Sequence, residues 1–427
     1  MTTASPPTAF VADPVIPSRD LLLDRETVRE IIGRITHHEG ALEWCTLRRA
    51  KYRVGESIRV VYDVIADGRE YVMSARTFAN SAVAFHEAET EAHAEPVHGM
   101  PGVAHDPGTD TVWWTVPNDR KLRNLATLLT PPVRVCRTSG VAWDQSRLVE
   151  YAPERSATVR LLDARGQTSG YAKAYRDRDV LDVASQYNLV AASVAMLDGL
   201  RTPRALGWAR PDRIVVLEPM RGRPWTQQPD DLRPLAMARF GSALANVHGL
   251  PSDIGRGPFQ RYRLDRVLNS ADLVAMARPD VATAIGRLRE KLARGLPDAG
   301  ATVCLNGDVH ANNVLFYGDE VHMIDFAHGG SGAAAADIGS MLASLMVIGR
   351  TTPAIAVDGL AEQFLDGYSA ILPLPSDAEL RWYTAAAFVA ERAIRAVNRV
   401  DYATLVVLPE LLEMAGAVLS GRLDFGA

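Results

Sequence analysis

Apolar and polar positions alternate over Tyr52–Val64 and again over Tyr71–Phe78, with Asp67-Gly68 between them, which predicts two strands joined as a hairpin. Residues 20–45, with an acidic start, read as a helix ahead of it, and an Ala/Glu/His-rich helix is expected at about 80–95. Residues 101–133 hold Pro101-Gly102, Asp106-Pro107-Gly108 and Pro131-Pro132 and read as loop, with Trp113-Trp114 packing the N-terminal unit. The pattern then returns. Tyr151-Ala-Pro-Glu-Arg-Ser156-Ala-Thr-Val-Arg-Leu-Leu leads through Asp163–Gly166 into Tyr171-Ala-Lys173-Ala-Tyr175, and a helix follows at about 179–199. The offset is about 99 residues, setting Tyr151 on Tyr52 and Ser156 on Ser57. We read a diverged duplication of a hairpin-plus-helix unit, the alternative being two unrelated hairpins.

Beyond it, Arg213-Ile-Val-Val-Leu-Glu218 reads as a short interior strand ending at Pro219-Met-Arg-Gly222. Helical patterns follow at 231–249, 264–276, 279–294, 355–371, 377–398 and 402–420. They are interrupted at 301–326, where short apolar runs surround a dense polar cluster. A strand-rich front and a helical rear make a two-lobed α+β layout. The expected divisions are an N-terminal domain at 20–145, a small lobe at 146–220 and a helical lobe at 221–427.

Composition narrows the function. With 427 residues, two or three globular units are expected. A hydrophobic content of 47%, 23% charged residues and a net charge of −5 fit an ordinary soluble protein, with neither nucleic acid nor membrane as partner. The three cysteines, Cys45, Cys136 and Cys304, are far apart, which excludes a disulfide scaffold and a Cys-rich zinc site and suits a reducing compartment. Met1 to Pro17 lacks a basic segment leading into an apolar one, and no run of about 18 apolar residues occurs, so a cytoplasmic protein is expected. Only four of 46 basic residues are lysine, so a lysine inside a strand, Lys173, invites a reason.

The chemistry concentrates in Leu305-Asn-Gly-Asp308-Val-His310-Ala-Asn-Asn313-Val-Leu-Phe, followed by Met323-Ile-Asp325-Phe. Asp308 and Asn313 stand five apart, and Asp325 follows Asp308 by 17 residues at the end of an apolar strand. Phosphoryl transfer from a nucleotide needs a carboxylate to orient the attacking hydroxyl, and a neutral oxygen ligand with a second carboxylate to hold Mg²⁺ against the phosphates.

This segment resembles the catalytic loop of the aminoglycoside phosphotransferase and choline kinase family, His-Gly-Asp-x-His-x-x-Asn followed by Ile-Asp-Phe. The resemblance implies Asp308 as catalytic base and Asn313 and Asp325 as Mg²⁺ ligands. Ala336-Asp337-Ile338-Gly339 is similar to the family's Asp-Leu-Ala helix start, and Ala243-Leu-Ala-Asn-Val-His248 and Phe364-Leu-Asp-Gly-Tyr368 resemble its helical rear lobe. Ile214 to Glu218, with Met220 and Gly222 beyond, resembles its hinge, where backbone groups meet adenine. The implied fold is protein-kinase-like and two-lobed, with an extra N-terminal domain resembling a degenerate duplicate of the small lobe. The implied activity is ATP- and Mg²⁺-dependent phosphorylation of a hydroxyl on a small molecule: an amino sugar, a sugar or an amino alcohol. Lys173 then grips the α- and β-phosphates, a point charge that arginine does not replace. Ser156 either offers its hydroxyl and N–H to the phosphates or is a plain turn serine, since no Gly-x-Gly-x-x-Gly is present.

Three departures stand out. Asn306 replaces the family's first histidine. The helix after Lys173 has Gln186 and Asn188 near the place of the expected glutamate, with Asp179 and Asp182 too early. The first hairpin copy sets Met73, Ser74 or Arg76 against Lys173, depending on a one-residue gap. These leave two alternatives, a Ser/Thr kinase acting on a peptide and a nucleotide-holding pseudokinase. Outside the loop, His86 and His93 read as a solvated helix face, and His328-Gly-Gly-Ser-Gly332 reads as too glycine-rich for regular structure.

Overall fold

The structure, a computed structural model, describes residues 10–38, 42–90, 94–130, 135, 139–254, 257–298, 300–326 and 329–423. The chain divides into two compact units: Met1–Ala184 with Ala205–Pro219 and Asn398–Val400, and Ser185–Arg204 with Met220–Val397 and Asp401–Ala427.

The first unit is built on two antiparallel sheets. A helix, Arg25–Thr36, is capped at its start by the Asp24 carboxylate, which accepts from Thr27 N–H at 2.9 Å. It stops at His37, in the left-handed region with φ 58°, so the helix expected over 20–45 is shorter and its end is strand. That strand, β1 (Leu42–Arg53), is followed by β2 (Ser57–Ala66) and β3 (Arg69–Thr77). Bulges at Leu42/Trp44 and Leu47/Arg49 break the alternation of β1, which is why it does not read as a strand. The segment Tyr52–Val64, taken as one strand, turns at Val54-Gly55-Glu56, Arg53 pairing with Ser57. After the helix Ser81–Thr90 come β4 (Val103–Asp106) and β5 (Thr111–Thr115). The stretch expected to be loop is thus partly sheet. Pro107-Gly108 mark the β4–β5 turn, and β5 is buried at every position, so it shows no alternation. Trp113 and Trp114 are both buried in it.

The second sheet holds β6 (Gln145–Ala152), β7 (Ser156–Leu162) and β8 (Thr168–Tyr175). The helix Val180–Val194 and the short β9 (Leu200–Arg201) intervene before β10 (Ala205–Ala209) and β11 (Ile214–Leu217). The first sheet runs β1-β2-β3-β5-β4, and the second, read from its other edge, runs β6-β7-β8-β11-β10. The order is the same, place for place. Val61 of the first sheet shares a buried cluster with Tyr151, Val159, Leu161 and Val216 of the second and with Leu122, Leu125 and Leu128.

The second unit is mainly helical, its core including Trp225, Phe240, Met341 and Phe364. Its small sheet runs β12 (Arg223–Pro224), β14 (Val314–Tyr317), β15 (Glu320–Met323), β9, and a ribbon pairs β13 (Thr302–Leu305) with β16 (Gly330–Ala333). The glycine-rich 329–332 stretch is therefore largely strand. Gly330 permits it: a β-carbon there would lie 3.1 Å from the Gly257 carbonyl oxygen. His328, like His93 and Cys136, lies outside the described residues. A wide, π-type turn, Phe388–Ala393, interrupts the helical run that begins at Asp377. Among the described residues, no helix is long and apolar enough to cross a membrane.

Candidate active site

The polar loop 306–313 leaves β13 and returns as β14, so two strands anchor its ends. Asp337, buried in the first turn of the helix Ala335–Thr351, accepts from Asn306 N–H at 2.7 Å and Gly307 N–H at 3.0 Å. Its carboxylate also meets His248 Nε2 at 3.3 Å, while His248 Nδ1 lies 2.9 Å from the Tyr368 hydroxyl. Gly307 has φ +76°, a conformation that favours glycine, and it turns the chain so that Asp308 follows. The Asn306 side-chain oxygen accepts from Asp308 N–H at 3.2 Å, an intraloop bond made by the residue that departs from the resembled pattern.

Asn313 donates from its amide to the Asp308 backbone oxygen at 3.0 Å, joining the two residues across the loop. Val314 of β14 pairs with Met323 of β15, and Ile324 N–H donates to the Asn313 carbonyl at 2.8 Å. Asn313 and Asp325 therefore stand at the same end of one hairpin, and Asp325 has φ +60°, a left-handed conformation uncommon outside glycine. An amide oxygen and a carboxylate are hard donors of the kind Mg²⁺ takes.

Asp308 is mostly buried and faces two arginines and a histidine. Arg261 lies at 3.1 Å, Arg395 at 3.6 Å and His310 Nε2 at 3.7 Å. Burial alone raises a carboxyl's pKa, but the His310 ring beside it and the charges of Arg261 and Arg395 reverse this and hold Asp308 well below the usual range. Behind Arg261 is Glu391, on the π-type turn and 3% exposed. It accepts from Arg261 at 2.5 Å, from the Tyr262 hydroxyl at 2.6 Å and from Ser340 Oγ at 2.8 Å. Burial pushes Glu391 up, yet Arg392, Arg261 and Tyr262 bring it down to about 2. Wide helical turns of this kind recur at functional sites.

In the first unit, Lys173 lies on β8, paired in register with Thr158 and with Val215 of β11. Ser156 begins β7, just past the turn that was expected to contain it. Glu218 follows β11, and Met220 begins the second segment of the second unit. Gln186 donates to the Ile254 carbonyl at 2.8 Å. Arg261, Glu391 and Arg395 were not legible in the sequence. Gln260-Arg-Tyr-Arg263 has no motif, and Glu391 and Arg395, four apart, read as an ordinary helix face.

Three solved structures illustrate what the chain is similar to. The macrolide 2′-phosphotransferase of Brachybacterium faecium shares 17% identity over 69% of this chain and 99% of its own, with a TM-score of 0.44. An aminoglycoside phosphotransferase of Streptomyces rimosus shares 20% over 62% and 98%, with 0.44. The ethanolamine kinase of Plasmodium vivax shares 10% over 65% and 84%, also with 0.44. Comparison with curated proteins gives no match. The profile described as the phosphotransferase enzyme family matches residues 163–383, a span that contains Lys173, Asp308, Asn313 and Asp325 but neither Glu154 nor Glu391. As that span exceeds half of the chain, the protein is a phosphotransferase and belongs to this family.

Proposed function

We propose that the chain transfers the γ-phosphoryl group of ATP to a hydroxyl of a small molecule. The observation carrying this reading is the hydrogen-bonded Asp308–Asn313 pair with Asp325 at the same hairpin end. The acceptor oxygen bonds to the γ-phosphorus, the bond to the β–γ bridging oxygen breaks, ADP leaves, and the hydroxyl proton passes to Asp308. A depressed pKa keeps Asp308 ionised at neutral pH and ready to accept the hydroxyl's hydrogen bond. A loose transition state asks a base for orientation more than for proton affinity, so this environment suits the task. Asn313 and Asp325 would hold Mg²⁺, which when bound neutralises charge on the phosphate oxygens. Lys173 would steady the phosphates, and the backbone from Glu218 to Met220 would meet the adenine.

The charges about Asp308 bear on the acceptor. Arg261 and Arg395 put positive charge at the base, which disfavours a polycationic amino sugar or an amino alcohol. An uncharged sugar hydroxyl fits this environment best. The test pairs a single-turnover rate with nucleotide affinity in Asp308→Asn. The expected loss is ~10²–10⁴-fold in the chemical step, the usual contribution of a positioned base, with ATP affinity unchanged. Wild-type turnover in that variant removes Asp308 from the catalytic role. Tight ATP binding without transfer to any sugar, amino alcohol or peptide would identify a pseudokinase.

A further inference from the structure

The turn Pro153-Glu154-Arg155 closes β6 onto β7, Ala152 pairing with Ser156. Glu154 has φ +63° and is 4% exposed, an expensive conformation and place for a glutamate without partners. Its partners come from the first sheet and the segment after it. Arg76 of β3 donates at 2.7 and 3.0 Å, Arg59 of β2 lies at 3.0 Å, and Arg120 donates from Nε at 2.8 Å. A second grip holds the backbone. One Asp119 oxygen accepts from Glu154 N–H at 2.9 Å and from the Tyr151 hydroxyl at 2.6 Å, while the other caps Lys121 and Leu122 N–H at 2.7 and 2.6 Å.

Register says where these arginines come from. Counting from the two equivalent turns, Arg59 holds the place of Thr158, and its partner Arg76 the place of Lys173. Of the three residues the sequence left open against Lys173, the sheet selects Arg76. In the second sheet that position is the lysine assigned above to the phosphates; in the first it is spent on a carboxylate from the second sheet's turn.

We propose that Glu154 is a positioning residue for the nucleotide. The first sheet, through Arg59 and Arg76, together with Arg120 from the segment after it, fixes the β6–β7 turn in the shape that closes over the phosphates. This rests on the phosphotransferase reading above and takes up the phosphate role left open for Ser156, which stands beside that turn. The turn has no glycine to adapt with, so holding it beforehand removes an ordering cost that binding would otherwise bear. It also gives the N-terminal sheet, which lies outside the family match, a role in the reaction.

The experiment measures calorimetric affinity for Mg-ATP, ADP and adenosine with full-length wild type, Glu154→Gln and Arg120→Gln. Arg120→Gln leaves Glu154 two arginines and serves if Glu154→Gln does not fold. Expected is a loss of about tenfold or more in ATP and ADP affinity, a difference of about 1.4 kcal/mol, with adenosine affinity unchanged. A change confined to phosphate-bearing ligands is not what general loosening of the fold produces. If wild type binds ATP and both variants bind it within twofold, or adenosine weakens equally, the proposal is overturned and the clamp merely joins the sheets. If wild type binds no nucleotide, the phosphotransferase reading falls first and this one with it.

Discussion

Replacing Glu391 by glutamine removes one negative charge from the polar centre behind the 306–313 loop and leaves Arg261 and Arg392 facing a neutral amide. The cost follows from the site. Glu391 is 3% exposed, and its pKa is lowered from 4.5 to about 2 by partners it keeps only when ionised. That preference corresponds to about 3 kcal/mol, and breaking a buried ion pair from one side costs about 3–5 kcal/mol. For a unit of this size, ~2–4 °C of melting temperature per kcal/mol turns the lower figure, about 3 kcal/mol, into a drop of roughly 6–12 °C. The sign of the pH dependence is fixed by the depressed pKa. The charged form stabilises the fold above the unfolded-state value near 4.5, and this contribution is lost as pH falls toward 2. Denaturant unfolding of wild type and Glu391→Gln from pH 7 to pH 3 should show a gap that is widest at neutral pH and narrows on acidification. A gap that does not change with pH, or a melting temperature within about 2 °C of wild type, would refute the assignment of Glu391 as a buried counter-ion.

Two further outcomes concern the nucleotide. Asp325→Ala should abolish the Mg²⁺-dependent part of the ATP-induced rise in melting temperature, because ligand stabilisation follows RT ln(1 + [L]/Kd); an undiminished Mg-ATP shift would remove Asp325 from the metal site. Lys173→Arg should lower kcat/KM for ATP although charge is conserved, since a planar fork does not take an ammonium's position. Values equal to wild type would make Lys173 an ordinary strand lysine.

What was legible in the sequence is what has its partners near in sequence. Asp308, Asn313 and Asp325 lie on one loop and hairpin, so spacing and turn residues carried both their type and their convergence. The interior strand at 214–217 and most of the rear helices were legible for the same reason, a local period matched to a local environment. Where two strands and a turn merged, at Tyr52–Val64, or bulges shifted the register of β1, the local signal was lost and so was the element.

What the sequence by itself determined, then, was the α+β character, the polar loop between β13 and β14 and the family to which it points. Tertiary structure decided the electrostatics. Arg261 reaches Glu391 across 130 residues and Asp308 across 47, and Arg76 reaches Glu154 across 78. No period or motif records such pairs, because an arginine's partner depends on which strands lie side by side and which helices pack. Sheet order set Arg76 in the place of Lys173 and turned it toward Glu154; helix packing put Arg261 between a buried glutamate and Asp308. A charge's type is local information, but the field it feels is a sum over the whole fold.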